Sequence, residues 1–195
     1  MKTIRKSNEN EMILEFLQGE LKSDRFKEKL LSITNNIDII QKGDTKNEEE
    51  NKIRYQIMKE YRGYPDQDMF NNFPKIQSWG FVELDSTDID KMYYINYDYW
   101  NELSKNTSKP IEAAKTIRSG IEIYEVSNQP FIDGLKYSNF PPVILISCNK
   151  DKYLIIEGHS RMTIYGLNPE KMNNTYAYVG NCTKEEMSRY DKRMI

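Results

Sequence analysis

The chain has 195 residues, 30% of them charged and 38% hydrophobic, which is enough for one sizeable core. Its 14 Tyr and 7 Phe exclude a disordered chain, since such chains are poor in aromatics. The net charge of -2 is spread over alternating acids and bases, with no basic stripe of the kind that wraps a nucleic-acid backbone, so nucleic acid ranks below a small anion as a ligand.

Met1 to Asn10 is charged and polar and lacks the apolar centre of a secretory signal. No window reaches the apolar length of a membrane span. The two cysteines, Cys148 and Cys182, have no metal-site spacing, and the single histidine excludes a Cys/His zinc cluster. These features together predict a cytoplasmic protein with reduced thiols and no membrane partner.

Ile13, Leu17 and Leu21, with Met12 and Phe16 beside them, predict an amphipathic helix over Asn8 to Leu21. Ser23 is placed to cap a second helix carrying Phe26, Leu30 and Ile33. Thr45-Lys46-Asn47-Glu48 fits a capping box, and the helix after it places Ile53, Ile57 and Tyr61 on one side before Gly63 and Pro65 stop it. Pro65 to Lys75, rich in Asn, Asp and Pro, marks a boundary. The expected organisation is therefore a helical extension over 1–75 and a second domain over 76–195.

In the second domain Trp79 to Leu84 predicts a short strand, and Ile89 to Leu103 a mixed, aromatic-rich segment. Pro110 opens a helix lined by Ile111, Ala114 and Ile117 and ended by Gly120. A short helix follows from Pro130 to Leu135. Val143-Ile144-Leu145-Ile146 and Tyr153-Leu154-Ile155-Ile156 flank a polar turn and predict a hairpin. Met162, Tyr165 and Leu167 suggest a helix after Gly158, Thr175 to Val179 a further strand, and Thr183-Lys184-Glu185-Glu186 the cap of a final helix.

The candidate chemistry sits at Glu157-Gly158-His159-Ser160-Arg161. A buried strand ends in a carboxylate, and Gly158 permits a sharp bend or a close approach. The helix that follows has open N–H groups and the positive end of its dipole. Ser160 and Thr163 add hydroxyls, and Arg161 a forked cation suited to phosphate. Glu157 and His159 are the candidates for holding a metal or moving a proton. Residue types alone favour an ordinary corner, with Glu157 favouring the dipole, His159 at the surface and Arg161 paired with a nearby acid. The stretch is neither a Walker loop nor a dinucleotide fingerprint.

Pro141-Pro142-Val-Ile-Leu-Ile, a turn, and then Leu154-Ile-Ile-Glu157-Gly158-His159-Ser160-Arg161-Met162-Thr163 resembles the ParB/sulfiredoxin superfamily. The likeness is specific over Pro141 to Leu167 and extends weakly over Trp79 to Val179. It implies an α+β fold: a small mixed sheet with flanking helices, preceded here by the helical extension. His159 stands where sulfiredoxin has its cysteine, and only Gly158 and Arg161 match the CTP-binding motif of chromosome-partitioning ParB. Glu157, Gly158, His159 and Arg161 match best the acid-Gly-His-x-Arg junction of the ParB-like free serine kinases, with Ser160 in place of a second His.

What this resemblance implies is a nucleotide-binding domain, taking ATP, ADP or CTP with Mg²⁺ or a phosphorylated small molecule, and transferring phosphate to a small hydroxyl substrate. Gly158, Ser160, Arg161 and Thr163 would bind the nucleotide. Glu157 would hold Mg²⁺ or act as base, and His159 would contact phosphate or transfer a proton, with Glu83 and Asp85 as candidates for a second carboxylate. The alternative expectations are a non-catalytic protein-interaction or DNA-associated module of a partition, defence or mobile-element system, pairing with itself or a partner through its N-terminal helices, and, after that, a ParB-like nuclease.

Overall fold

A computed structural model describes residues 1–23, 26–137 and 140–195. Six strands form one mixed sheet: β1 (Lys2–Ser7), β2 (Ser78–Leu84), β3 (Met92–Tyr94), β4 (Val143–Ser147), β5 (Tyr153–Glu157) and β6 (Thr175–Asn181). Their spatial order is β1-β2-β6-β4-β5-β3. The β1/β2, β2/β6 and β4/β5 pairs are antiparallel, whereas β6/β4 and β5/β3 are parallel. The predicted hairpin is β4–β5. Both strands lie inside the sheet and are buried on both faces, which is why they read as unbroken apolar runs.

Nine α-helices occur among the described residues: α1 (Glu9–Leu21), α2 (Lys27–Ile33), α3 (Asp38–Gln41), α4 (Glu48–Arg62), α5 (Asp98–Leu103), α6 (Pro110–Arg118), α7 (Gln129–Gly134), α8 (His159–Leu167) and α9 (Lys184–Tyr190). Two apolar clusters divide them between the sheet faces. Ile144, Ile146, Leu154, Ile156 and Tyr178 pack with Ile13, Phe16, Leu17, Ile57 and Met58 of α1 and α4. Val143, Leu145, Ile155 and Val179 pack with Ala113, Ala114 and Ile117 of α6 and Met162 and Tyr165 of α8. The sheet thus lies between two helical layers, and strand alternation sends neighbouring residues into opposite clusters.

The N-terminal segment takes part in the sheet directly. Met1 to Asn10 has no regular apolar pattern, yet Lys2–Ser7 forms edge strand β1, with only exposed or partly exposed side chains. A strand held by backbone hydrogen bonds at an edge needs no apolar face, so its sequence carries no signal.

Three local expectations need correction. The second helix starts at Lys27, with Phe26 and not Ser23 at its N-cap and no side-chain cap. The helix expected after the Thr45 capping box is α4, which starts after Asn47, whose side chain accepts from the amides of Glu49 and Glu50, while the Asn47 amide group donates to Glu50. Ile53, expected on the buried side of α4, is 44% exposed. The inward position on that helix belongs to Arg54, 1% exposed, which donates to the Ile39 and Asp44 carbonyls and to Asn51 and pairs with Glu50. With four partners on its two terminal nitrogens, the guanidinium can occupy a core position and tie α3 to α4, although its buried Nε has no partner among the described residues.

Candidate functional site

The corner between β5 and α8 is built as the strand–glycine–helix pattern requires. Glu157 closes β5, opposite Ile144 of β4. Gly158 has φ +99, a region that side chains rarely adopt, and a Cβ there would lie 2.5 Å from Val143 Cγ1. Its carbonyl accepts from the Met162 amide at 2.9 Å, so α8 starts at once, and no side chain caps its first turn.

Arg161 is committed within the fold. Its Nη1 donates to the Pro141 and Pro142 carbonyls at 2.6 Å each, and its Nη2 pairs with Glu157. The two side chains are only 14% and 20% exposed. The bonds to Pro141 and Pro142 fasten the chain entering β4 to the start of α8, which gives the Pro-Pro pair before the strand a mechanical role.

His159 lies in an aromatic stack. Its ring is nearly parallel to Trp100 at 5.4 Å and to Tyr94 at 6.0 Å. Its Nε2 is buried with no hydrogen-bond partner. Burial first, and then the Arg161 charge, push its pKa down from 6.5 to about 3, so the imidazole is neutral. The expectation of a surface histidine does not fit this placement. Thr163 also points inward: its Oγ1 donates to the His159 carbonyl at 2.8 Å and lies 2.6 Å from the Tyr94 hydroxyl. Ser160 is exposed.

Glu83 and Asp85 do not join this corner. Glu83 is on β2, three strand spacings from β5, roughly 14 Å at the usual interstrand distance. It lies 3.9 Å from Lys2. Asp85 accepts from the Thr87 amide and hydroxyl and from the N-terminal amine. Among the described residues no group of three or more His, Cys, Asp or Glu side chains is placed to hold a metal ion.

The N-terminal helices bring charged groups that reading the corner alone misses. Burial raises the Glu157 pKa, Arg161 and Arg62 counter this, and Glu20 adds to it. Glu20 is 3% exposed and accepts from Tyr61 and Arg62. Glu15 is likewise raised by burial and feels both Arg161 and Glu157. The signal was present in α1: Glu20 falls on the stripe Ile13, Phe16, Leu17, Leu21, where an acid must have partners.

What remains open at the corner is the first turn of α8 with Ser160. Two clefts lie away from this corner, on the N-terminal helices. One of about 210 Å³ is lined by Gln18, Leu21, Lys22, Lys27 and Gln41. The other, about 350 Å³, lies between α2 and α4 and includes Ile33, Ile53 and Ile57.

A second exposed feature lies after α6. Ile121, Tyr124 and Val126 face solvent, with Tyr124 63% exposed. Ile123 and Val126 form an isolated bridge, the Val126 amide donating to the Ile123 carbonyl at 3.0 Å. Tyr124 and Glu125 between them have φ 52 and 59. Positive φ at both central residues marks a type I′ turn, which favours Asn-Gly and which Tyr-Glu occupies only under strain. The charges of Glu102 and Asp98 on α5 reach the Tyr124 hydroxyl. Asp98, Glu102 and Glu125 have no ion-pair or hydrogen-bonding side-chain partner among the described residues, and Glu122 accepts only from the Asn128 amide.

No helix among the described residues is long and apolar enough to cross a membrane. No family model, curated protein or solved structure matches the chain.

Proposed function

We propose that the chain is a ParB/sulfiredoxin-like module that binds a protein partner without catalysing a reaction at the β5–α8 corner. The observation that carries this reading is the engagement of Arg161 by Glu157, Pro141 and Pro142. A cation with three internal partners positions backbone and does not offset an incoming phosphate, and the carboxylate it neutralises is not free to take Mg²⁺. The neutral, stacked His159 serves packing in the same way. The binding face is the strained turn at Tyr124-Glu125 with Ile121, Val126 and the acids of α5, whose chemistry suits a basic segment with apolar side chains. A partner taken through the N-terminal helices would meet them at the cleft between α2 and α4.

The second reading is a nucleotide or phosphorylated small molecule at the first turn of α8, supported by its uncapped amides beside exposed Ser160. Here Gly158, Ser160 and the Arg161 amide bind phosphate, and the Arg161 side chain must first exchange Glu157 for the ligand. Calorimetric titration with ATP, ADP and CTP in Mg²⁺ separates the two. The module reading expects no heat at millimolar nucleotide. Saturable binding of any of the three by the wild-type chain would overturn it and support the second. For the partner face, a photocrosslinker at position 124 is expected to label Lys- and Arg-rich segments, with labelling lost in Glu102→Lys/Glu122→Lys. Labelling equal to that from exposed Tyr176 would count against this face.

A further inference from the structure

Cys148 and Cys182 fall outside everything described above, yet the sheet brings them together. In the parallel pair β4/β6, Ile144 faces Tyr178, Ile146 faces Gly180 and Ser147 faces Asn181. The ladder continues one step further, because the Cys182 amide donates to the Ser147 carbonyl at 3.0 Å. One more residue on each strand places Cys148 beside Cys182. Alternation puts both on the face of Ile144, Ile146 and Tyr178, and both belong to that apolar cluster. Laterally paired strands hold such neighbours about 4.8 Å apart, inside the range of about 4.4–6.8 Å between Cα atoms that a disulfide spans. Both thiols are free: Cys182 is buried and Cys148 partly exposed.

We propose that Cys148 and Cys182 form an oxidation site that closes to an intramolecular disulfide by exchange with a low-molecular-weight disulfide such as oxidised glutathione. Cys148, the accessible thiol, loses its proton and attacks one sulfur of the oxidant. The oxidant's S–S bond breaks, and one glutathione thiol leaves. Cys182 then gives up its proton and attacks Cys148 Sγ, releasing the second glutathione thiol. The two protein thiols are oxidised by two electrons, and one glutathione disulfide is reduced to two thiols. Burial, with the neighbouring Cys148 and Glu186, raises the Cys182 thiol to about 11, so closure is the slow step and accelerates as pH rises.

Closure has a local consequence. Cys148 Sγ lies 3.6 Å from the Met194 carbonyl, and the same turn is held by Asn149 and Lys152. That turn carries Arg193, which reaches the Tyr94 carbonyl and Ser108. Drawing Cys148 toward Cys182 removes one of these ties.

The test is peptide mapping of the folded full chain after equilibration with oxidised glutathione and alkylation of residual thiols. The expected product in the wild type is a monomer containing a Cys148–Cys182 linked peptide, formed faster at pH 9 than at pH 7. Cys182→Ser is expected to stop at a glutathione adduct on Cys148, and folded Cys148→Ser to leave Cys182 unmodified. The wild-type map decides the matter even if a variant fails to fold. Arrest of the wild type at the Cys148 adduct, exclusive formation of intermolecular disulfides, or no reaction in a buffer that oxidises the unfolded chain would each overturn the proposal.

Discussion

Arg161 is where residue type and residue role diverge most. A forked cation after a glycine corner suits phosphate, but this one is used by two carbonyls and a carboxylate of its own fold. Arg161→Ala would leave Glu157 buried without its counter-charge, with an expected loss of about 3–5 kcal/mol in chemical denaturation. Glu157→Gln/Arg161→Met, which removes both charges, is expected to lose less than the single variant. The lone histidine supplies a second measurement. With a folded pKa of about 3 against an ordinary 6.5, neutral His159 favours the folded chain above pH 6.5, and that contribution declines as pH falls from 6.5 toward 3, because the unfolded chain takes up the proton first. Its ring proton resonances are therefore expected not to move between pH 8 and 5. In His159→Phe, which keeps an aromatic ring against Trp100, the loss of stability over pH 6.5 to 5 should flatten. Glu157 has the opposite sign: its raised pKa favours folding at low pH, and that contribution is lost as pH rises through the carboxylate range.

At the scale of elements, the turn at Ile123–Val126 keeps two unsuitable residues, Tyr124 and Glu125, at positive φ in an exposed position. Strain of this kind at an exposed turn is what motivates the partner face proposed above. Tyr124→Asn/Glu125→Gly supplies the residues that the turn prefers and is expected to raise stability by about 1 kcal/mol, seen as a higher Tm, while a crosslinker placed at exposed Ile121 loses its labelling of Lys- and Arg-rich segments. Helix boundaries followed from capping chemistry where caps exist. Thr183 accepts from the Glu186 amide as its sequence predicts, and Gly63 and Gly120 end α4 and α6 at positive φ. The start of α4 fell to Asn47 and not to Thr45, and the start of α2, with no capping side chain, was a boundary that capping residues could not locate.

Across the whole molecule, the N-terminal helices and the sheet share one apolar cluster, and β1 is the sheet's own edge. A piece spanning 76–195 alone would expose Ile144, Ile146, Leu154, Ile156 and Tyr178 and lose the Glu20–Arg62 pair that stands near Glu157. It is expected to give no cooperative thermal transition and to bind a dye for exposed apolar surface, whereas the full chain melts in one step. Independent two-state melting of 76–195 would show that the boundary near Lys75 separates two folding units.

Local periodicity and chemistry by themselves determined the β4–β5 hairpin, the amphipathic stripes of α1 and α6, most helix ends and the bend at Gly158, because each depends on residues close together along the chain. Only the tertiary structure decided the strand order, the membership of β1, the approach of Glu15 and Glu20 to the corner, and the inward fates of His159, Arg161 and Thr163. Those depend on which distant surface covers a side chain. Burial and pairing, which commit Arg161 to two carbonyls and a carboxylate, arise when the layers close.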